Sequence, residues 1–207
     1  MAERASENPF SVLMVCTGNI GRSPMMERVM RHVIAEHGAA ERISVSSAGT
    51  WAQPGSPMEP GAAAALRERG IDPDSFSSTP LSASAITASD LVLVATREHR
   101  SEVVQLAPAA VRRTFTLREL ERIVVSMDAP PPRNVSTQRQ VAGDVMREAV
   151  AWAAQLRGSV ERPARDEDDD LPDPLGAPDQ VYVGQAAQIA ASVERIVPYL
   201  LGAPSAG

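Results

Sequence analysis

Phe10 to Cys16 (FSVLMVC) is a short apolar run bounded by Pro9 and Gly18, a pattern that predicts a buried strand. Beyond it, Met26, Val29, Met30, Val33 and Ile34 recur at spacings of three and four. They mark one apolar helix face that ends near Gly38. Ser23-Pro24 reads as the start of that helix, with Ser23 as N-cap and Pro24 at the first helical position. Ile43 to Ser47 is a second strand, and Glu59 to Glu68 a helix closed by Gly70. Leu91 to Ala95 (LVLVA) is a third strand, and Thr114 to Leu117 a weaker fourth. Short helices are predicted at 83–89, 97–105 and 118–125. Three consecutive prolines within 128–136 (DAPPPRNVS) exclude regular structure there. Residues 138–157 read as helical and 163–180 as a loop. A last helix spans 181–201, with Ala186, Ala190, Val193, Val197 and Leu200 on its apolar face.

Alternating strands and helices of this kind predict an α/β fold. The expected form is a four-stranded parallel sheet with helices on both faces, a Rossmann-like three-layer sandwich. A length of 207 residues fits one domain spanning 1–207.

Charge narrows the partners. A net charge of −6 argues against a nucleic-acid backbone. No apolar run reaches the roughly 18 residues of a membrane span, so no membrane partner is expected. Met1 to Asn8 lacks the apolar core of a signal peptide. The single cysteine excludes an internal disulfide, and with no export signal it points to a reducing cytoplasm.

The candidate chemistry sits where the first strand meets the first helix, in Cys16-Thr17-Gly18-Asn19-Ile20-Gly21-Arg22-Ser23-Pro24. Backbone N–H groups at a helix N-terminus have no intrahelical partner and bind anions. Gly18 and Gly21 let the loop curl so that successive N–H groups converge on one oxyanion. The same field favours the thiolate form of Cys16. From six positions on, the guanidinium of Arg22 can grip two phosphate oxygens at once, which lysine could not do. Ser23 can donate its hydroxyl to the sulfur. The segment lacks the Gly-Lys-Ser/Thr ending of a nucleotide-binding loop, so ATP or GTP hydrolysis is not expected. His32, His37 and His99 show no metal-ligand spacing and read as surface or helix-end residues.

VCTGNIGRSP resembles the signature loop of the low-molecular-weight protein tyrosine phosphatases: cysteine, five residues, arginine, then serine or threonine, after the first strand. Ser46-Ser47-Ala48-Gly49-Thr50, Arg67-Glu68-Arg69-Gly70-Ile71 and Ala88-Ser89-Asp90-Leu91-Val92-Leu93-Val94 resemble later segments of that family. Asp173-Pro174 resembles its late Asp-Pro pair. The segment near 125–170 is longer and more variable than in compact members. The resemblance implies that Cys16 attacks phosphorus. Arg22 and the N–H groups of Thr17, Gly18, Asn19, Ile20, Gly21 and Arg22 would bind the phosphoryl oxygens. Asn19 and Ser47 would brace the loop. Asp173 would protonate the leaving group and then activate water. It implies a phosphotyrosine-containing protein or peptide as substrate, inorganic phosphate as product, and no metal or other cofactor.

Three departures stand out. Gly21 occupies a position where many members have a second cysteine. Leu175 and Gly176 follow the Asp-Pro pair where aromatic residues are common, leaving Trp51 as a candidate pocket wall or as partial core packing. Asp173 stands beside the acidic run Asp166 to Asp170, which reads as a solvated loop. Other functions stay open at this stage. One is a phosphatase for another phospho-amino acid such as phosphoarginine, although members with that activity tend to have threonine where Ile20 stands. Another is a thiol-linked arsenate reductase, which would need a relay of cysteines that the chain lacks. A third is a non-catalytic phosphate-binding module.

Overall fold

The computed structural model describes residues 9–127 and 142–202. The proline stretch 128–136 and the first residues of the helix expected at 138–157 lie outside the described residues.

Four strands form one parallel sheet: β1 (Phe10–Cys16), β2 (Ile43–Gly49), β3 (Leu91–Val94) and β4 (Thr114–Thr116). Their order is β2-β1-β3-β4. Every residue of β1 pairs with β2, from Phe10 opposite Ile43 to Cys16 opposite Gly49. Val12 to Val15 also pair with Leu91 to Val94.

Strand alternation sends Phe10, Val12, Met14 and Cys16, with Leu91, Leu93, Ala95 and Phe115, into the larger core. Leu13, Val15, Val92 and Val94 face the smaller core on the other side. The first core is closed by helices α1 (Arg22–Glu36), α2 (Pro60–Glu68), α5 (Leu117–Val125), α6 (Ala142–Leu156) and α7 (Asp179–Leu200). The second lies beneath α3 (Ala83–Ala88), α4 (Arg97–Leu106) and a 3₁₀ turn at Pro108–Arg113. Both faces are buried, which is why the strands read as continuous apolar runs.

Two features differ from the sequence reading. Helix α1 starts at Arg22 with Gly21 as its N-cap, not at Ser23. Ser23 is fully buried and turned toward Cys16, so its hydroxyl is not spent on the helix end. Pro24 falls in the first turn, where a missing N–H leaves no bond unmade. The second difference lies in 163–180. Asp166–Asp169 forms a 3₁₀ turn, and α7 begins two residues early at Asp179.

The sheet order reverses around β1, with β2 on one side and β3 on the other. In open parallel sheets the crevice at such a point, beyond the carboxyl ends of the strands, is where ligands bind. Residues 17–21 occupy it here. No helix among the described residues is long and apolar enough to cross a membrane.

Candidate active site

A cavity of about 150 Å³ opens at the carboxyl end of β1. Cys16, Thr17, Gly18, Ile20, Gly21 and Arg22 line one side, and Asp173, Pro174 and Leu175 another. The sequence reading thus finds its three principal residues, Cys16, Arg22 and Asp173, at one place.

Cys16 is buried, and its sulfur lies 3.0 Å from Ser23 Oγ. Ser23 also accepts from Asn19 Nδ2 at 2.9 Å. Asn19 has φ of 51°, a left-handed conformation that asparagine tolerates better than most residues. Its buried amide works in three directions: Nδ2 donates to Ser23 Oγ and to Ser47 Oγ, both at 2.9 Å, and Oδ1 accepts from Thr79 N at 2.8 Å. Ser47 in turn donates to Glu27 Oε2 at 2.5 Å, and Glu27 pairs with Arg31. The loop shape is therefore fixed by side chains as well as by backbone.

Backbone contacts hold its outer rim. Thr50 N donates to Cys16 O and Trp51 N to Thr17 O, both at 2.9 Å. Glu59 N donates to Ile20 O at 2.8 Å while the Glu59 carboxylate caps α2 at Gly61 N and Ala62 N. Gly49 makes the close approach possible. A Cβ there would stand 2.5 Å from Thr17 O and 2.8 Å from Asn19 N.

Arg22 is buried, and its guanidinium is held by three contacts. Nη1 donates to Leu171 O at 3.2 Å. Nη2 donates to Thr17 Oγ1 at 3.2 Å and to Asp173 Oδ2 at 2.7 Å. Asp173 is half exposed, so this ion pair has one foot in water.

The acidic run before Asp173 is not a free solvated loop, and this corrects the sequence reading. Asp169 is buried and gripped twice by Arg122, through Nε at 3.2 Å and Nη2 at 2.8 Å. Asp170 accepts from Arg97 N at 2.8 Å, Asp166 pairs with the Arg97 side chain, and Asp168 pairs with Arg165. Leu171 N then donates to Ala95 O at the end of β3. These contacts deliver Asp173 to the cavity mouth.

Three placements depart from expectation. Trp51 is 80% exposed and is neither core nor part of the cavity lining, although its backbone touches the loop. Tyr182 and Glu59 line the cavity and were not foreseen. Tyr182 packs on α2 because Gly61 has no side chain: a Cβ there would lie 2.7 Å from the ring. Burial, then the Glu59 carboxylate, raises the Tyr182 hydroxyl above its ordinary value, so it stays protonated. His99 is the third. It sits at the start of α4, as the helix-end alternative had it, but it is 4% exposed and not a surface residue, with Nε2 2.9 Å from Thr17 Oγ1 and Nδ1 2.6 Å from Thr96 Oγ1. Burial, and then the neighbouring Arg22 charge, hold it down at about 4, with Asp173 acting in the opposite direction.

A parallel α/β sheet with a cysteine at the foot of an anion-binding loop defines the class, a phosphomonoester hydrolase. A family model described as low molecular weight phosphotyrosine protein phosphatase matches residues 11–162. The chain belongs to that family. It is 31% identical over 148 residues to a probable low molecular weight protein-tyrosine-phosphatase EpsP of Ralstonia nicotianae, covering 71% of this chain and 96% of that one. It is 34% identical over 110 residues to a protein-arginine-phosphatase of Bacillus subtilis, covering 53% and 71%. The fold matches a crystal structure of a low molecular weight protein tyrosine phosphatase from T. tengcongensis with a TM-score of 0.65, covering 91% and 97% of the chains at 24% identity. The family match ends before Asp173, so the place of that residue rests on the geometry above.

Proposed function

We propose that this enzyme hydrolyses phosphotyrosine in proteins or peptides through a cysteinyl-phosphate intermediate. The observation that carries the reading is the convergence of Cys16, Arg22 and Asp173 on one cavity from opposite ends of the chain.

In this scheme a phosphoryl group enters the loop and takes hydrogen bonds from the N–H groups of residues 17–22 and from Arg22. The Cys16 thiolate attacks phosphorus as the bond to the phenolic oxygen breaks. Asp173 gives its proton to that oxygen. Asp173, now a carboxylate, takes a proton from water, which attacks phosphorus. The sulfur–phosphorus bond breaks, inorganic phosphate leaves and the thiolate returns. Ser23, 3.0 Å away, steadies that thiolate by donating its hydroxyl. Arg22 and the amides supply the positive field, so the scheme calls for no cofactor.

The walls favour a flat ring. Ile20, Pro174, Leu175 and Tyr182 give apolar surface above the loop. Trp51 is exposed, and its backbone N–H donates to Thr17 O at the rim of the loop. The Glu59 carboxylate, the acid that would suit a guanidinium, already accepts from two backbone N–H groups through Oε2. The reading also places the enzyme in the cytoplasm, where a catalytic thiolate stays reduced.

The test is hydrolysis of matched phosphotyrosine, phosphoserine and phosphoarginine peptides by wild type and Cys16→Ser. Phosphotyrosine should be preferred, and Cys16→Ser should be inactive, because serine at its free pKa is a poor nucleophile. A preference for phosphoarginine would reassign the substrate. A Cys16→Ser variant with a tenth of wild-type activity would end the covalent scheme.

A further inference from the structure

We propose that His99 is a positioning residue that sets the angle of the Arg22 clamp through the hydroxyl of Thr17. The inference deepens the functional reading above and rests on Arg22 gripping the phosphoryl group.

Thr17 Oγ1 is shared by two nitrogens from different parts of the chain. Arg22 Nη2 donates to it at 3.2 Å, and His99 Nε2 meets it at 2.9 Å. Thr17 itself is exposed, so these two hydrogen bonds bear on the placing of its hydroxyl. His99 is the opposite case: it is buried, and its ring is fixed at the far side by Thr96 Oγ1. Thr96 is in turn held as the N-cap of α4, where it accepts from His99 N. The rigid end of the relay is therefore a helix start, and the adjustable end is the guanidinium.

Among the described residues one other side chain, Asp173, is bonded to the same Arg22 nitrogen. A phosphoryl group drawn into the loop must compete with that carboxylate for Nη2, whereas Thr17, itself part of the loop, offers Nη2 a second acceptor. His99 thus holds Arg22 in place during the exchange. A neutral ring suits the task. A charged imidazolium beside Arg22 would repel the guanidinium that it is meant to hold, and burial keeps His99 uncharged at neutral pH.

Four variants test this: His99→Asn, His99→Gln, Thr17→Val and the double variant Thr17→Val/His99→Asn. Glutamine keeps a polar atom near the Nε2 position; asparagine reaches only toward Thr96. The readouts are inorganic phosphate affinity by calorimetry, kcat/KM on phosphotyrosine peptide and the thermal midpoint. His99→Asn and Thr17→Val should each weaken phosphate about tenfold, the scale of one hydrogen bond to a charged group. His99→Gln should retain most of the affinity. The double variant should be no weaker than Thr17→Val alone, since both break one relay. Phosphate affinity unchanged in His99→Asn, or single effects that multiply in the double variant, would overturn the proposal. If His99→Asn does not fold, Thr17→Val against Thr17→Ser decides, because serine keeps the hydroxyl on a surface residue: equal affinities would overturn it. Arg22→Lys in the same assay separates the two claims. Unchanged phosphate affinity there removes the clamp itself; a weakened Arg22→Lys beside an unchanged His99→Asn removes His99 alone.

Discussion

Arg22 Nη2 and Asp173 Oδ2 lie 2.7 Å apart, so the proposed clamp and the proposed acid hold each other. In the proposed scheme a phosphoryl group that takes Arg22 also frees Asp173, so binding and acid catalysis would be coupled through one nitrogen.

Asp173→Asn should separate the two effects. Loss of the acid should lower kcat by about 10²–10⁴. Loss of the competing charge should tighten inorganic phosphate at the same time. Steady-state kinetics with phosphate as inhibitor measure both. A variant with wild-type kcat would remove Asp173 from the mechanism.

Gly49→Ala should damage the loop from outside the cavity. The added methyl meets two backbone atoms of residues 17 and 19, which cannot swing aside. A displacement of about 1 Å can cost about 10²-fold in rate. Activity should fall by that order while circular dichroism keeps its native form. An alanine variant of full activity would mean that β2 yields instead.

Arg122→Ala should destabilise the enzyme by about 3 kcal/mol, since it leaves the Asp169 carboxylate buried and unpaired. Asp173 should also be delivered less well, so kcat should fall with stability. Arg165→Ala, on an exposed pair, is the control and should change little. Chemical denaturation of both variants gives the comparison.

His99 supplies a pH dependence of stability. Its folded form takes a proton only near about 4, against an ordinary value of 6.5. Between those values the unfolded chain binds more protons than the folded one, so stability falls as pH drops through the window. Below about 4 the loss from this residue stops growing. Thermal midpoints of wild type and His99→Gln should therefore converge as pH falls from 7 to 4. Parallel curves would refute the assignment.

Gly21→Cys should protect against oxidation. A thiolate at Cys16 reacts with peroxide to give a sulfenic acid, and no second cysteine in the chain can capture it as a disulfide. Continued exposure gives sulfinic acid, which reductant does not reverse. A side chain at Gly21 meets nothing within 4 Å. The variant should regain activity after longer peroxide exposure than wild type, with phosphate as the protecting control. Full recovery of wild type after long exposure, with no added oxygen by mass spectrometry, would sink the idea.

The phosphate loop was legible because it is local. Cysteine, glycines, arginine and Ser-Pro fall within nine residues directly after the strand, and periodicity marked the apolar face of the helix that follows. The helix cap was misread for an instructive reason: Ser23 has the chemistry of a cap, yet the buried sulfur and Asn19 claim its hydroxyl. His99 was unreadable because its partner Thr17 is 82 residues away. The acidic run looked solvated because its cations belong to other elements, Arg97 to α4 and Arg122 to α5. Tyr182 gave only a helical spacing, and the space it fills exists through Gly61, far upstream.

The contacts of Arg22 reach Leu171 and Asp173, which follow it by 149 and 151 residues. On the ribosome Asp173 is therefore made long after Arg22. Domains fold during synthesis as their parts emerge. In the proposed scheme a nascent chain would complete the bracing of its loop, through Asn19 and Thr79, well before the residue that protonates the leaving group has emerged, and so could bind a phosphoryl group before it could turn one over.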